Sequence, residues 1–167
     1  YETFGTLAAS GTSGTFAGGA AVVMHPGSLV RLDNTFDLMA VGATQGRWGD
    51  TTPVNLDGST FRVLGNSGAD LTEVVGAVNV TGNSFLTPQR AFNGRVMEIN
   101  VASINRQVNI GGITGNNGSL SIEPTTSAFL GIDERVTIAG ATPASLIVGS
   151  SGMVAPWMYN NRDQQFL

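Results

Sequence analysis

Short runs of alternating apolar and polar residues, each soon stopped by a glycine or asparagine corner, constrain this chain more than any other feature. Nowhere do apolar residues recur at i, i+3, i+4 and i+7 over three turns without Gly or Pro intruding, so the sequence predicts no helix. The runs fall at 3–8, 20–24, 28–32, 54–56, 60–64, 73–80, 84–87, 95–101, 107–110, 119–123, 135–139 and 145–148. Between them stand corners such as Pro26-Gly27, Asp57-Gly58, Gly65-Asn66-Ser67-Gly68, Gly82-Asn83, Asn93-Gly94 and Gly111-Gly112.

Two architectures use such a pattern. An antiparallel β-sandwich would make Asp57-Gly58 and Asn93-Gly94 hairpin turns, which both dipeptides suit. A parallel β-helix (β-solenoid) would instead use each corner to pass from one sheet to the next within a coil. Several segments, at 22–32, 54–64, 75–86 and 108–122, read as two strands around one corner, and their irregular spacing suits coils carrying inserted loops. Asparagine recurs at these corners, where it tolerates the left-handed conformation and can bond to neighbouring coils. The all-β parallel β-helix is the favoured fold, with residues 1–167 as one module. With coils of roughly 20 to 25 residues it would hold about seven rungs and extend about 30 to 40 Å.

Composition removes several classes of function. All 8 basic residues are Arg, so a Schiff-base lysine, a phosphate-loop lysine and a lysine general base are excluded. Cysteine is absent, which removes thiol nucleophiles, disulfides and zinc–thiolate sites. A net charge of −4 argues against nucleic acid or an anionic membrane surface as partner. The longest apolar runs, at 20–24 and 144–148, are too short to cross a bilayer, so no membrane insertion is expected. No calcium-loop or glycine-rich calcium repeat is present, and no metal or other cofactor is expected.

Few residues invite a chemical role. His25 is the single histidine, placed before Pro26, and reads as an ordinary corner residue. Asp133-Glu134-Arg135 is the densest charge cluster; neighbours on a strand face opposite ways, so it reads as a solvated corner rather than a carboxylate pair. In Arg47-Trp48-Gly49-Asp50 the tryptophan breaks an adhesion-type tripeptide. The expectation there is structural: Arg47 pairing with or capping Asp50 across a loop, and Trp48 covering apolar surface. Trp157, Tyr159 and Phe166, with Met153 and Met158, form an aromatic-rich end that could cap the solenoid, dock a neighbouring module or stack against a glycan. Asn79-Val80-Thr81 and Asn117-Gly118-Ser119 fit the glycosylation sequon but read as turn residues.

An ordered set of motifs adds to this reading. Gly27-Ser28-Leu29-Val30-Arg31-Leu32-Asp33-Asn34 is followed by Arg47-Trp48-Gly49-Asp50, Pro53-Val54-Asn55-Leu56-Asp57-Gly58, Leu64-Gly65-Asn66 and Thr72-Glu73-Val74-Val75-Gly76. Gly152-Met153-Val154-Ala155-Pro156-Trp157 follows towards the end. Together they make the chain resemble bacterial autotransporter-associated β-strand repeat proteins. Trp48 within its motif and Gln164-Gln165 before Phe166 depart from that pattern, and the N-terminal third matches it only loosely. The resemblance implies a secreted or cell-surface β-helix segment of a longer chain, or a fibre subunit, with no catalytic residues. Its partners would be neighbouring modules or identical subunits end to end, with a glycan or host surface as a further expectation. The rival functions are a carbohydrate-binding module and a β-helix polysaccharide lyase or hydrolase, the latter needing an arginine beside clustered carboxylates.

Overall fold

Gly-rich corners separate the strands, and the computed structural model shows where each corner leads. It describes residues 2–16, 21–41, 44–106, 109–110, 113–114, 118–125, 130–140, 158–160 and 165–166. The first coil lays down β1 (Glu2–Thr3) and β2 (Thr6–Ala9), the second β3 (Val22–Met24) and β4 (Leu29–Asp33). A small antiparallel hairpin, β5 (Ala40–Val41) with β6 (Thr44–Gln45), precedes β7 (Val54–Leu56) and β8 (Thr60–Leu64) of the third coil. β9 (Leu71–Val80) and β10 (Asn83–Gln89) form the fourth. β11 (Met97–Arg106) opens the fifth, which carries a second hairpin, β12 (Asn109–Ile110) with β13 (Ile113–Thr114), before β14 (Ser119–Ile122). The sixth holds β15 (Glu134–Ile138) and β16 (Met158–Asn160), and β17 (Gln165–Phe166) turns back antiparallel onto β16.

The strands sort into two long sheets. One runs β1-β3-β7-β9-β11-β15 and the other β2-β4-β8-β10-β14-β16-β17. Every pairing along them is parallel except the last, β16 with β17. The chain is therefore an all-β parallel β-helix, and no helix occurs among the described residues. Asp57-Gly58 joins β7 to β8 and the Asn93-Gly94 turn lies between β10 and β11, in each case linking strands of different sheets, so neither is a hairpin. Among the described residues there are six rungs rather than about seven, because the coils are unequal and some are long. Asn55 lies 24 residues from its partner Asn79, whereas Glu98 lies 37 from Arg135. Six rungs at the interstrand spacing extend roughly 24 Å.

Stacking in register turns alternation along each strand into columns along the axis. Val22, Val54, Val78 and Ile104 form one column of the first sheet, and Val30, Phe61, Leu86 and Ile122 form one of the second. Apart from Ile104, which is half-buried, these side chains are at least nine-tenths buried, and each fully buried one contributes about 1.5–3 kcal/mol. Asparagines stitch the coils as their corner positions suggest. Asn66 Nδ2 donates to Asn34 O at 2.8 Å, while its Oδ1 accepts the N–H groups of Gly68 and Ala69. Asn79, read from sequence as a turn residue, lies within β9 near its end, donating to Asn55 Oδ1 at 2.8 Å and accepting from Asn105 at 3.1 Å. Asn117 lies outside the described residues.

Candidate functional site

Among the described residues the fully buried charged side chains, Arg47, Glu73 and Glu134, lie in or just after the connections that return from the second sheet to the first. Within β9 the inward positions are Leu71, Glu73 and Val75, then Val78 and Val80. The alternation slips by one residue at Gly76, and this slip turns the Glu73 side chain into the core. Glu73 has no exposed surface. β7 pairs only with the later half of β9, from Val78 to Val80, so it does not reach Glu73. The loop at residues 46–49 packs there instead, and the carboxylate takes over the role of a strand edge. Arg47 N–H donates to both carboxylate oxygens, at 2.9 and 3.1 Å, and Trp48 N–H donates to Oε1 at 2.8 Å. Gly46 lies so close that a β-carbon there would overlap the carboxylate.

Around this anchor the loop folds inward. Trp48 is fully buried between Phe16 and Phe61, with ring centroids 5.2 Å from each, and its indole N–H donates to Thr52 O at 2.9 Å. It is a core residue rather than a cover over apolar surface. Arg47 is also fully buried. Its guanidinium donates to the main-chain oxygens of Gly14 at 2.6 Å and Asp37 at 3.0 Å rather than across the loop to Asp50. Burial pushes the Glu73 carboxyl up to about 7, against the opposing pull of the Trp48 and Arg47 N–H groups and the Arg47 charge, while Asp50 adds to the rise. On the rim, burial opposes ionisation of Asp33, but hydrogen bonds from Thr35 and the charge of Arg31 hold it below the usual carboxylate value.

A second inward glutamate repeats the device. Glu134 is fully buried at the start of β15, and its Oε1 accepts Arg90 N–H at 2.7 Å. Asp133 pairs with the Arg90 guanidinium, and Arg135 donates to Glu98 at 2.8 Å. The reading of residues 133–135 as a solvated corner is thereby corrected: strand alternation points Glu134 inward, and its neighbours pair with two different coils. His25 behaves as a corner residue, its ring stacked on Phe4 with centroids 4.1 Å apart.

The aromatic end is only partly described. Tyr159 is half-buried on β16, and Phe166 on β17 is its backbone partner, so these two meet at the end of the second sheet. Trp157 lies outside the described residues. Among the described residues no group of three or more His, Cys, Asp or Glu side chains could hold a metal ion.

The outer faces differ in how they use polar groups. On the first sheet the polar groups bond to one another from rung to rung: Asn55 to Asn79 to Asn105, and Glu98 to Arg135 and Thr137, with Asn100 donating to Thr137. On the second sheet a column of Arg31, Arg62 and Thr87 runs beside one of Leu29, Thr60, Phe85, Ser121 and Tyr159. This face was not singled out by the sequence, because the two arginines stand in separate coils and only the register makes them neighbours. Among the described residues the protein is a parallel β-solenoid whose first sheet carries the longer polar ladder on its outer face, the second sheet bonding Ser119 to Asn83 and Arg31 to Asp33. No protein-family model matches the chain, and neither a curated protein nor a solved structure does.

Proposed function

We propose that the chain is a non-enzymatic structural or adhesive module of an extracellular bacterial surface protein, matrix or fibre. The observation that carries this reading is the continuity of the two columns of paired strands, which makes the module a stiff stack. Its buried carboxylates serve main-chain N–H groups of the connecting loops, which is an architectural use of acid side chains. At one end of the stack, β1 and β2 are the outermost strands of their sheets, and partly buried Leu7 packs against the core there. Another coil, from a neighbouring module or an identical subunit, would extend both sheets by adding its own strands.

Sedimentation velocity and negative-stain microscopy of residues 1–167 over a wide concentration range test this. End-to-end rods that lengthen with concentration are expected. A chain that stays monomeric and soluble at high concentration, with those edges open, overturns the assembling role.

A further inference from the structure

An asparagine side chain is open to attack by the main-chain nitrogen that follows it, and glycine there leaves the approach clear because it has no β-carbon. Asn93 and Asn117 precede glycine, and Asn66 and Asn83 precede serine; Asn117 lies outside the described residues. The structure separates the other three. Asn66 is buried and its amide is held at both ends, Nδ2 donating to Asn34 O and Oδ1 accepting the Gly68 and Ala69 N–H groups. Asn83 accepts Ser119 Oγ at 3.1 Å, and Ser84 after it is fixed in register with Leu120. Asn93 has no such restraint. It is exposed in the turn between β10 and β11, with Phe92 and Gly94 exposed on either side. One bond closes that turn, from Arg95 N–H to Phe92 O at 3.3 Å, and the Gly94 N–H has no hydrogen-bond partner among the described residues. The space around Gly94 is open, since a β-carbon there would meet nothing within 4 Å. With Arg90, Ala91 and Phe92, Asn93 lines an open hollow of about 220 Å³, which gives water access to its amide.

We propose that Asn93 is a modification site, where the folded chain deamidates spontaneously with water as the only other reactant. The Gly94 nitrogen, its proton taken by hydroxide, forms a bond to Asn93 Cγ. The Cγ–Nδ2 bond breaks, and Nδ2 leaves as ammonia with a proton from water. Water then opens the cyclic imide at either carbonyl. Breaking the bond from Cγ to nitrogen gives aspartate, and breaking the bond from the main-chain carbonyl carbon to nitrogen gives isoaspartate. Nothing is oxidised or reduced: amide and water become acid and ammonia. The product adds one negative charge to a chain of net charge −4, beside a hollow whose Arg90 guanidinium already pairs with Asp133. Two anchors flank the turn, Arg90 N–H on Glu134 and Val96 N–H on Asp70, so the extra main-chain methylene of isoaspartate is confined between them. The reaction needs neither assembly nor a partner, so its failure would leave the function proposed above untouched.

The test is storage of the folded chain in water enriched in heavy oxygen, at mildly acidic and mildly alkaline pH, followed by tryptic digestion and tandem mass spectrometry. Cleavage after Arg90 and Arg95 isolates residues 91–95, in which Asn93 is the single asparagine. Asn93 should take up the label as both aspartate and isoaspartate, at least about tenfold faster than Asn66 or Asn83. The rate should be higher at the alkaline pH, since the attacking nitrogen must first lose its proton. Gly94→Ala should slow the reaction by about tenfold or more, and Asn93→Gln, which would have to close a larger ring, should take up no label over the same period. Both variants should keep the circular dichroism of the parent. In urea Asn66, released from its bonds, should accelerate while Asn93 changes little, which assigns the difference between them to the fold. Label reaching Asn66 or Asn83 before Asn93 in the folded chain, a rate indifferent to pH, or a Gly94→Ala chain that reacts as fast as the parent would each overturn the site.

Discussion

The second, third and fourth coils of this solenoid each turn twice, and the two turns are built on opposite principles. From the first sheet to the second the chain passes through a tight corner: Pro26-Gly27, Asp57-Gly58, then Thr81-Gly82. These corners stack backbone on backbone, with Gly27 N–H donating to Gly58 O at 2.9 Å and Thr81 N–H to Leu56 O at 3.0 Å. Returning to the first sheet, the chain uses longer, unequal connections whose main-chain donors are met by side chains: Glu73 for Arg47 and Trp48, Glu134 for Arg90, and Asp70 for Val96 at 2.9 Å. One corner is held by the absence of side chains and the other by carboxylates. Tight corners fix the register of these coils, and the loose connections vary in length, secured by side-chain acceptors such as Glu73, Asp70 and, between β8 and β9, Asn66 alongside backbone bonds.

The most damaging change should fall on the loose side. Trp48→Ala empties a fully buried indole site between Phe16 and Phe61 and removes one of the two donors to Thr52 O, leaving only Gly76 N–H. A loss of about 3–5 kcal/mol is expected in urea denaturation. A loss below about 1 kcal/mol would show that the loop merely lies on the stack and is no part of the core.

The same loop should give the protein an unusual pH dependence. The Glu73 carboxyl titrates near 7 in the fold and near its ordinary 4.5 when unfolded, so the folded state holds the proton more tightly. Stability from this group is fully present below about 4.5 and declines as pH rises to about 7, by on the order of 3 kcal/mol. Asp33 acts in the opposite sense and in another window: its depressed value contributes stability above 3.8 that is lost as the pH falls further into acid. Denaturation midpoints measured from pH 4 to 8 should therefore decline across that range, and Glu73→Gln should flatten the decline. A variant whose slope matches the parent would show that Glu73 does not titrate there.

This contrast also explains what the residues disclosed. The strands at Val54–Leu56 and Thr60–Leu64 lie where alternation and the Asp57-Gly58 corner place them, and parallel stacking follows from irregular spacings that hairpins would not give. Glu73 escaped notice because alternation counted back from Val80 and Val78 puts Val74 and Thr72 inward and leaves the glutamate in solvent. The burial phase reverses at Gly76, and β11 repeats the slip between Val101 and Ile104, the register partners of Val75 and Val78. A glycine within a long valine-rich run was the available signal. The pairing of Arg31 with Arg62 left no such trace, since register between coils depends on loop lengths that no local pattern sets.

The smallest expected effect separates the two reasons a tight corner needs glycine. Gly58 has φ +60°, a left-handed backbone, yet a β-carbon there would meet Pro26 no closer than 3.4 Å. Gly82 on the next rung shows no positive φ, but a β-carbon would overlap the main-chain nitrogen of Gly58. Gly58→Ala should therefore cost about 1 kcal/mol through conformation alone, and Gly58→Asn less, since asparagine tolerates that region. Gly82→Ala has to push two coils apart, at about 1–3 kcal/mol, and Gly82→Asn should be no milder. Thermal or urea melts of the four variants decide the matter. If asparagine rescues position 82 as well as position 58, the corner is limited by backbone conformation throughout, and close stacking of the coils is not what fixes their register.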